Sequence, residues 1–161
     1  MKKHIFYLSA VAVASSLLIS NLNAFEVNEK KVDAKRVLEL KNEGYVLLDT
    51  RPEAEFKKCT IAGAQNNPIK DADAFMEWAK KNLPGKNIVV FGEPNEAVEA
   101  FGRLRLMELL GDAAAGRGEF SPREATGPEK PGEKIWGETF LYDQTIAEWK
   151  ADGNPTDGPC D

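Results

Sequence analysis

"YVLLDTRPEAEFKKCTIAGAQNNPI", residues 45–69, decides the organisation of the chain. Tyr45 to Leu48 is an unbroken apolar run of strand length, ended by Asp49. A run without polar alternation suits a strand covered on both faces, as in a parallel sheet. "RPEAEF" opens a short helical turn. Pro52 fits a first-turn position, where its missing N–H leaves nothing unpaired, and Glu53 and Glu55 lie near the positive end. "AGAQNNPI" reads as a turn followed by a short strand.

The same alternation extends in both directions. Upstream, a short edge strand ends near Val32, and Asp33 is placed to cap a helix from Ala34 to about Asn42, with Val37, Leu38 and Lys41 at one spacing and Gly44 as the stop. Downstream, Asp71 or Asp73 caps a helix whose Ala72, Phe75, Met76, Ala79 and Leu83 share a face, ended by Pro84-Gly85. "NIVVF" is a second buried strand, after which Asn95 caps a helix to about Leu110 carrying Ala97, Ala100, Phe101, Leu104 and Met107. "ETFLYD" is a strand and "TIAEWKADG" a closing helix. Strands alternating with helices predict an α/β fold with a mainly parallel, five-stranded sheet and helices on both faces. Between them, residues 111–134 hold five glycines and three prolines, with Phe120 as the one large apolar side chain. Such an insert is disordered or a functional surface loop.

The N-terminus sets the compartment. Lys2, Lys3 and His4 precede an apolar stretch from Ile5 to Ile19, and Leu22-Asn23-Ala24 offers a small-residue cleavage site. Residues 1–24 read as a signal peptide and 25–161 as a single domain, so the protein is expected to be periplasmic or secreted with no stable membrane span after cleavage. The chain's net charge is −5 and the leader carries two lysines and no acid, which puts the exported domain at −7. An acidic domain without a basic patch is a poor nucleic-acid binder.

The only histidine, His4, leaves with the leader. That removes Ser-His-Asp and Cys-His nucleophiles, His-ligated metals and a histidine base. No cofactor or metal is expected. Cys59 and Cys160 are the only cysteines; in an oxidising compartment they form an intramolecular disulfide, an intermolecular one, or remain as thiols.

Taken together, these elements resemble the rhodanese-like domain family, in which a strand ends in Asp-x-Arg and is followed by a Glu-aromatic pair, Gly-His-Ile-x-Gly-Ala and a short strand. Asp49, Arg51, Glu55, Phe56, Ile61, Gly63 and Ala64 match, while Cys59 and Thr60 stand for the Gly and His. The ending "FLYDQTIAEWKADGNP" is similar to the family's last strand, Gly-Gly, and Trp-x-x-x-Gly-x-Pro: Trp149, Gly153 and Pro155 match, and Gln144 and Thr145 replace the glycines. The resemblance implies structural roles for Asp49 and Arg51, with Arg51 paired to Glu55 and Asp49 bonded to loop amides. It also sets Cys59 before a strand, away from the carboxyl-end crevice. Trp78, Trp136 and Trp149 are expected as core or flap-packing residues, not as a cofactor box.

In active members the central strand ends in a cysteine, cradled by loop amides and a helix N-terminus that favour an anion. By resemblance that place falls at Gly92, and the loop continues Glu93, Pro94, Asn95, Glu96, Ala97, with Glu99 one turn on. No nucleophile stands there, Pro94 has no N–H to offer, and the glutamates oppose an anion. The resemblance therefore implies a catalytically inactive, pseudo-enzyme form acting as a binding or accessory module for a protein partner in the cell envelope. Two other readings stand beside it: sulfurtransferase or sulfur-carrier activity using Cys59, and a small-ligand or cation binder using the altered crevice.

Overall fold

The computed structural model describes residues 30–114 and 135–160. The expected leader, with its expected cleavage site, and most of the glycine- and proline-rich insert lie outside these residues.

Helix α1 (Ala34–Asn42) begins where Asp33 accepts the Arg36 N–H at 2.8 Å. It buries Val37 and Leu40, whereas Leu38 is only partly covered and Lys41 reaches across to the Ala62 carbonyl at 2.6 Å. Strand β1 (Val46–Asp49), helix α2 (Glu53–Lys58), and the short strands β2 (Thr60–Ile61) and β3 (Gln65–Asn66) follow. Helix α3 (Ala72–Asn82) is capped by Asp71, whose carboxylate accepts from Asp73 and Ala74 N–H. Strand β4 (Ile88–Phe91) leads into α4 (Pro94–Ala114), then β5 (Thr139–Leu141), α5 (Ile146–Ala151) and β6 (Thr156–Asp157).

The main sheet is wholly parallel in the order β3-β1-β4-β5, with Leu47 opposite Val89 and Val90 opposite Leu141. It has four strands where five were expected. Most of the stretch expected to supply the fifth lies outside the described residues; at its end Val32 N–H donates to Leu141 O at 2.9 Å, and Asp33 caps α1. β2 and β6 form a separate antiparallel pair, Thr60 opposite Asp157.

The period of two divides the sheet's side chains between its faces. Leu47, Val89 and Phe91 join Val37 and Leu40 of α1, Ile61, Tyr142, Ile146 and Trp149 in one cluster. That leaves Leu48, Ile88 and Val90, equally buried, for the opposite face. Trp149 meets Tyr142 edge-to-face at 5.5 Å and donates its indole N–H to Pro155 O at 2.8 Å. Trp136 is also buried, donating to Leu104 O at 3.1 Å, while Trp78 stays half-exposed.

Two helix boundaries differ from the sequence reading. α4 starts at Pro94, not after Asn95, and Glu93 O accepts the Ala97 N–H at 2.8 Å. Proline at the first helical position loses no hydrogen bond and arrives with a helical φ. The helix also continues past Leu110 to Ala114.

The carboxyl end of β1 is tied by a buried charge. Asp49, with no exposed surface, accepts Arg51 Nε at 3.1 Å and Nη2 at 2.7 Å, the Arg51 backbone N–H at 3.0 Å and the Thr60 hydroxyl at 2.8 Å. The expected amide contact of Asp49 is present, but Arg51 pairs with Asp49 and not with Glu55. A fork two residues away closes a bidentate pair inside the fold, whereas Glu55 is exposed. Asp49→Asn keeps the shape and strips the countercharge of a guanidinium that is itself buried. A loss of about 3–5 kcal/mol in unfolding free energy is expected by urea denaturation; a loss below about 1 kcal/mol would contradict this account.

Candidate functional site at the carboxyl end of the sheet

In an open parallel sheet the crevice outside the strands' carboxyl ends is the default ligand site. Here it is bounded by Asp49-Thr50-Arg51 after β1 and Gly92-Glu93 after β4. Thr50 donates both its N–H, at 3.0 Å, and its hydroxyl, at 3.1 Å, to the Phe91 carbonyl. Its side chain is thereby held over the next residue. A Cβ placed on Gly92 would sit closer than 3.0 Å to Thr50 Oγ1 and 3.4 Å from Arg51 Cγ. Gly92 also has φ +154°, a conformation side chains seldom adopt. The strand end is closed by threonine, and glycine is what fits beneath it.

The loop acids do not act as one group. Glu99 turns to Arg103, within 2.9 Å, as an i,i+4 pair on the outer surface of α4. Glu96 faces inward: its Oε2 is shielded from solvent and makes no hydrogen bond among the described residues. Burial, then the charges of Glu55, Glu93 and Asp49, push its carboxyl above the ordinary glutamate range, with Lys70 opposing. Among the described residues no cluster of three or more acidic, cysteine or histidine side chains is disposed to hold a metal ion. Pro94 and Asn95 are exposed in the first turn of α4, and Ala97 is buried beneath it.

Cys59 and Cys160 are bonded to each other, Cα atoms 4.6 Å apart, and no cysteine is free. Cys59 N–H closes α2 on Glu55 O, and Cys160 N–H bonds Lys58 O, both at 3.0 Å. Against the expectation that Cys59 lies apart from the crevice, the disulfide lines an open groove of about 700 Å³ together with Arg51, Glu93, Thr145 and Lys150. Arg51 links the two regions, since its Nη2 also donates to Cys59 O at 2.6 Å. Gly63 and Ala64 lie in the turn before β3, where Gly63 (φ +79°) gives its N–H to Asp157 at 2.6 Å and Ala64 gives its own to Ile61 O at 3.0 Å.

Two positioning residues went unread in the sequence. Thr145 caps α5 in a capping box with Glu148, a Thr-x-x-Glu signal visible at positions 145–148. Asn66 donates to both Asp49 O and Arg51 O, at 3.0 and 2.8 Å, holding the strand end from the β3 side; no local pattern announces that contact.

A four-stranded parallel sheet with helices packed around it is an open α/β domain, the class in which ligands bind outside the strands' carboxyl ends. The rhodanese-like domain family model matches residues 33–152, and the chain belongs to that family. In fold it is similar to the Alr3790 protein from Anabaena sp. (23% identity, TM-score 0.52, 79% of this chain and 91% of that one). The rhodanese-like domain of Alr3790 solved in solution is also similar (23%, TM-score 0.51, 81% and 80%), as is the BH2092 protein from Bacillus halodurans (14%, TM-score 0.50, 92% and 87%). No curated protein matches the chain at a significant level.

Two expectations test the site. Gly92→Ala should cost about 1–3 kcal/mol by overpacking against Thr50, and Thr50→Ala in the same chain should recover part of it; additive losses in the double-mutant cycle would refute the contact. Glu96 keeps its proton in the folded state at pH values where the unfolded chain has lost it. Its contribution to stability therefore falls as pH rises above the ordinary glutamate value of 4.5. Glu96→Gln should raise the thermal midpoint relative to wild type at pH 7, and the difference should shrink towards pH 4. A difference that is constant with pH would refute the assignment.

Proposed function

We propose that this is an exported rhodanese-like domain without the family's sulfur-transfer chemistry, acting as a binding or accessory module for a protein partner in the cell envelope. The observation that carries the reading is the closed end of β4. Gly92 stands where the resemblance puts the nucleophile, and Thr50 Oγ1 occupies the space that a side chain there would need. The surroundings point the same way. Glu93 sets negative charge, and Glu96 an inward-facing carboxyl, where a thiosulfate or persulfide would bind. Both sulfurs that could have served instead are joined in the Cys59–Cys160 bond, which weighs against a sulfur carrier at Cys59.

Among the described residues no helix is long and apolar enough to cross a membrane. The purified chain should produce no thiocyanate from thiosulfate and cyanide above the blank, with or without prior reduction. Turnover that disappears in Cys59→Ser would overturn the reading in favour of a sulfur carrier. A photo-crosslinker at position 93, in envelope preparations, should give a discrete protein adduct, and its absence would count against the partner.

A further inference from the structure

Both halves of the Cys59–Cys160 bond are half-buried, and both face the groove that Arg51, Glu93 and Lys150 also line. The segment bearing Cys160 is lightly held. Its attachments include the two-residue β2–β6 pairing, Ala62 N–H and the Trp149 indole to Pro155 O, Gly63 N–H to Asp157, Gly158 packed close on the Lys57 and Lys58 carbonyls, Cys160 N–H to Lys58 O, and the Lys150 ammonium on Cys160 O. Asp157, Gly158 and Pro159 are exposed, and Cys160 itself sits at φ +50°, a region non-glycine residues seldom occupy. Segments with few buried apolar contacts open locally at low free energy. The disulfide is therefore reachable from the groove without unfolding the core.

We propose that Cys59–Cys160 is a thiol–disulfide exchange site that accepts two electrons from a dithiol entering this groove, a role that goes beyond the module reading and does not depend on it. The substrate's first thiolate attacks Cys160 Sγ. A new S–S bond forms as the Cys59–Cys160 bond breaks, and the electron pair leaves on Cys59 Sγ. Cys160 is the sulfur attacked because the exposed tail can move with the mixed disulfide, while Cys59 is fixed between α2 and β2. Lys150, donating to Cys160 O, supplies the cation of this groove, which Glu93 also lines; the Arg51 guanidinium, donating to Cys59 O, is already compensated by Asp49. Positive charge favours both the arriving and the departing thiolate. The substrate's second thiolate then attacks its own sulfur in the mixed disulfide, expels Cys160 and closes the substrate disulfide. The two cysteine thiolates take up the two protons that the dithiol gave up. The dithiol is oxidised, the pair is reduced, and the tail is released from the groove wall.

The test is the rate at which dithiothreitol reduces the full chain under native conditions, followed by maleimide quenching and intact mass. Reduction should be linear in dithiothreitol over a tenfold range and at least ten times faster than global unfolding, measured separately by extrapolation from denaturant. The reduced chain should keep its near-ultraviolet circular dichroism. Lys150→Gln should slow reduction several-fold and Lys150→Arg should restore it. A rate that levels off at the unfolding rate, loss of the near-ultraviolet signal on reduction, or an unchanged Lys150→Gln rate would each overturn the proposal.

Discussion

A carboxylate without access to water has to be compensated in full or it will not stay ionised, and Asp49 is that group here. Its compensation dictates the local chain path. Arg51 must follow at two residues so that its fork can return to Asp49, and the chain must turn at Pro52 to let it do so. α2 then has to be short enough for Thr60 to come back and donate its hydroxyl. The same guanidinium accounts for the Cys59 carbonyl, so the end of α2 and the start of β2 are set by one buried ion pair. Removing the pair would cost more than its own bonds, because what it organises is a crossover.

The crevice inherits this arrangement. Thr50 sits between the two members of the pair, and its hydroxyl has one place to go, the Phe91 carbonyl across the β1–β4 seam. That bond stations Oγ1 above Gly92. The glycine at the end of β4 and the threonine between Asp49 and Arg51 are thus two halves of one packing solution. Electrostatics then acts on what is left of the crevice. At an effective dielectric near 20, one like charge roughly 6 Å away costs an anion about 2–3 kcal/mol, less where solvent screens it. Glu96 feels this as well: burial first, and then the charges of Glu55, Glu93 and Asp49, hold its carboxyl above the ordinary glutamate range.

The parallel sheet, the Asp33 and Asp71 caps and the family were legible because each is written locally, in unbroken apolar runs or in residues at short fixed spacing. What the sequence hid was long-range or competitive. Arg51 had two carboxylates within reach, and burial, which no local pattern reveals, chose Asp49 over Glu55. The Thr50–Gly92 contact joins residues 42 positions apart and involves a threonine that looks like an ordinary motif filler. Asn95 carries a good capping side chain, yet Pro94 ahead of it is still better suited to the first turn, so the cap moved to Glu93. Cys59 was placed by analogy before a strand, correctly, but the groove it shares with Glu93 exists only once the tail has come back along β2.

The insert and the C-terminal segment illustrate opposite ways of closing a loop. The insert leaves α4 at Ala114 and the chain is described again at Ile135. Its ends are tied by the Trp136 indole on Leu104 O and by Glu108, itself paired with Arg105 at 2.6 Å, accepting the Thr139 N–H at 3.1 Å. With its ends fixed by a buried tryptophan and a buried ion pair, the length between matters little: doubling it costs about 0.6 kcal/mol. The tail has no comparable side-chain anchor beyond Trp149, whose hold stops at Pro155. It is secured by a covalent bond spanning 101 positions, which in the chain-entropy model limits the unfolded chain by as much as about 4–5 kcal/mol. The insert is therefore tolerated by packing around it, whereas the tail is kept in place by chemistry. Of the two, only the tail's attachment can be undone by a change of redox state while the core stays closed.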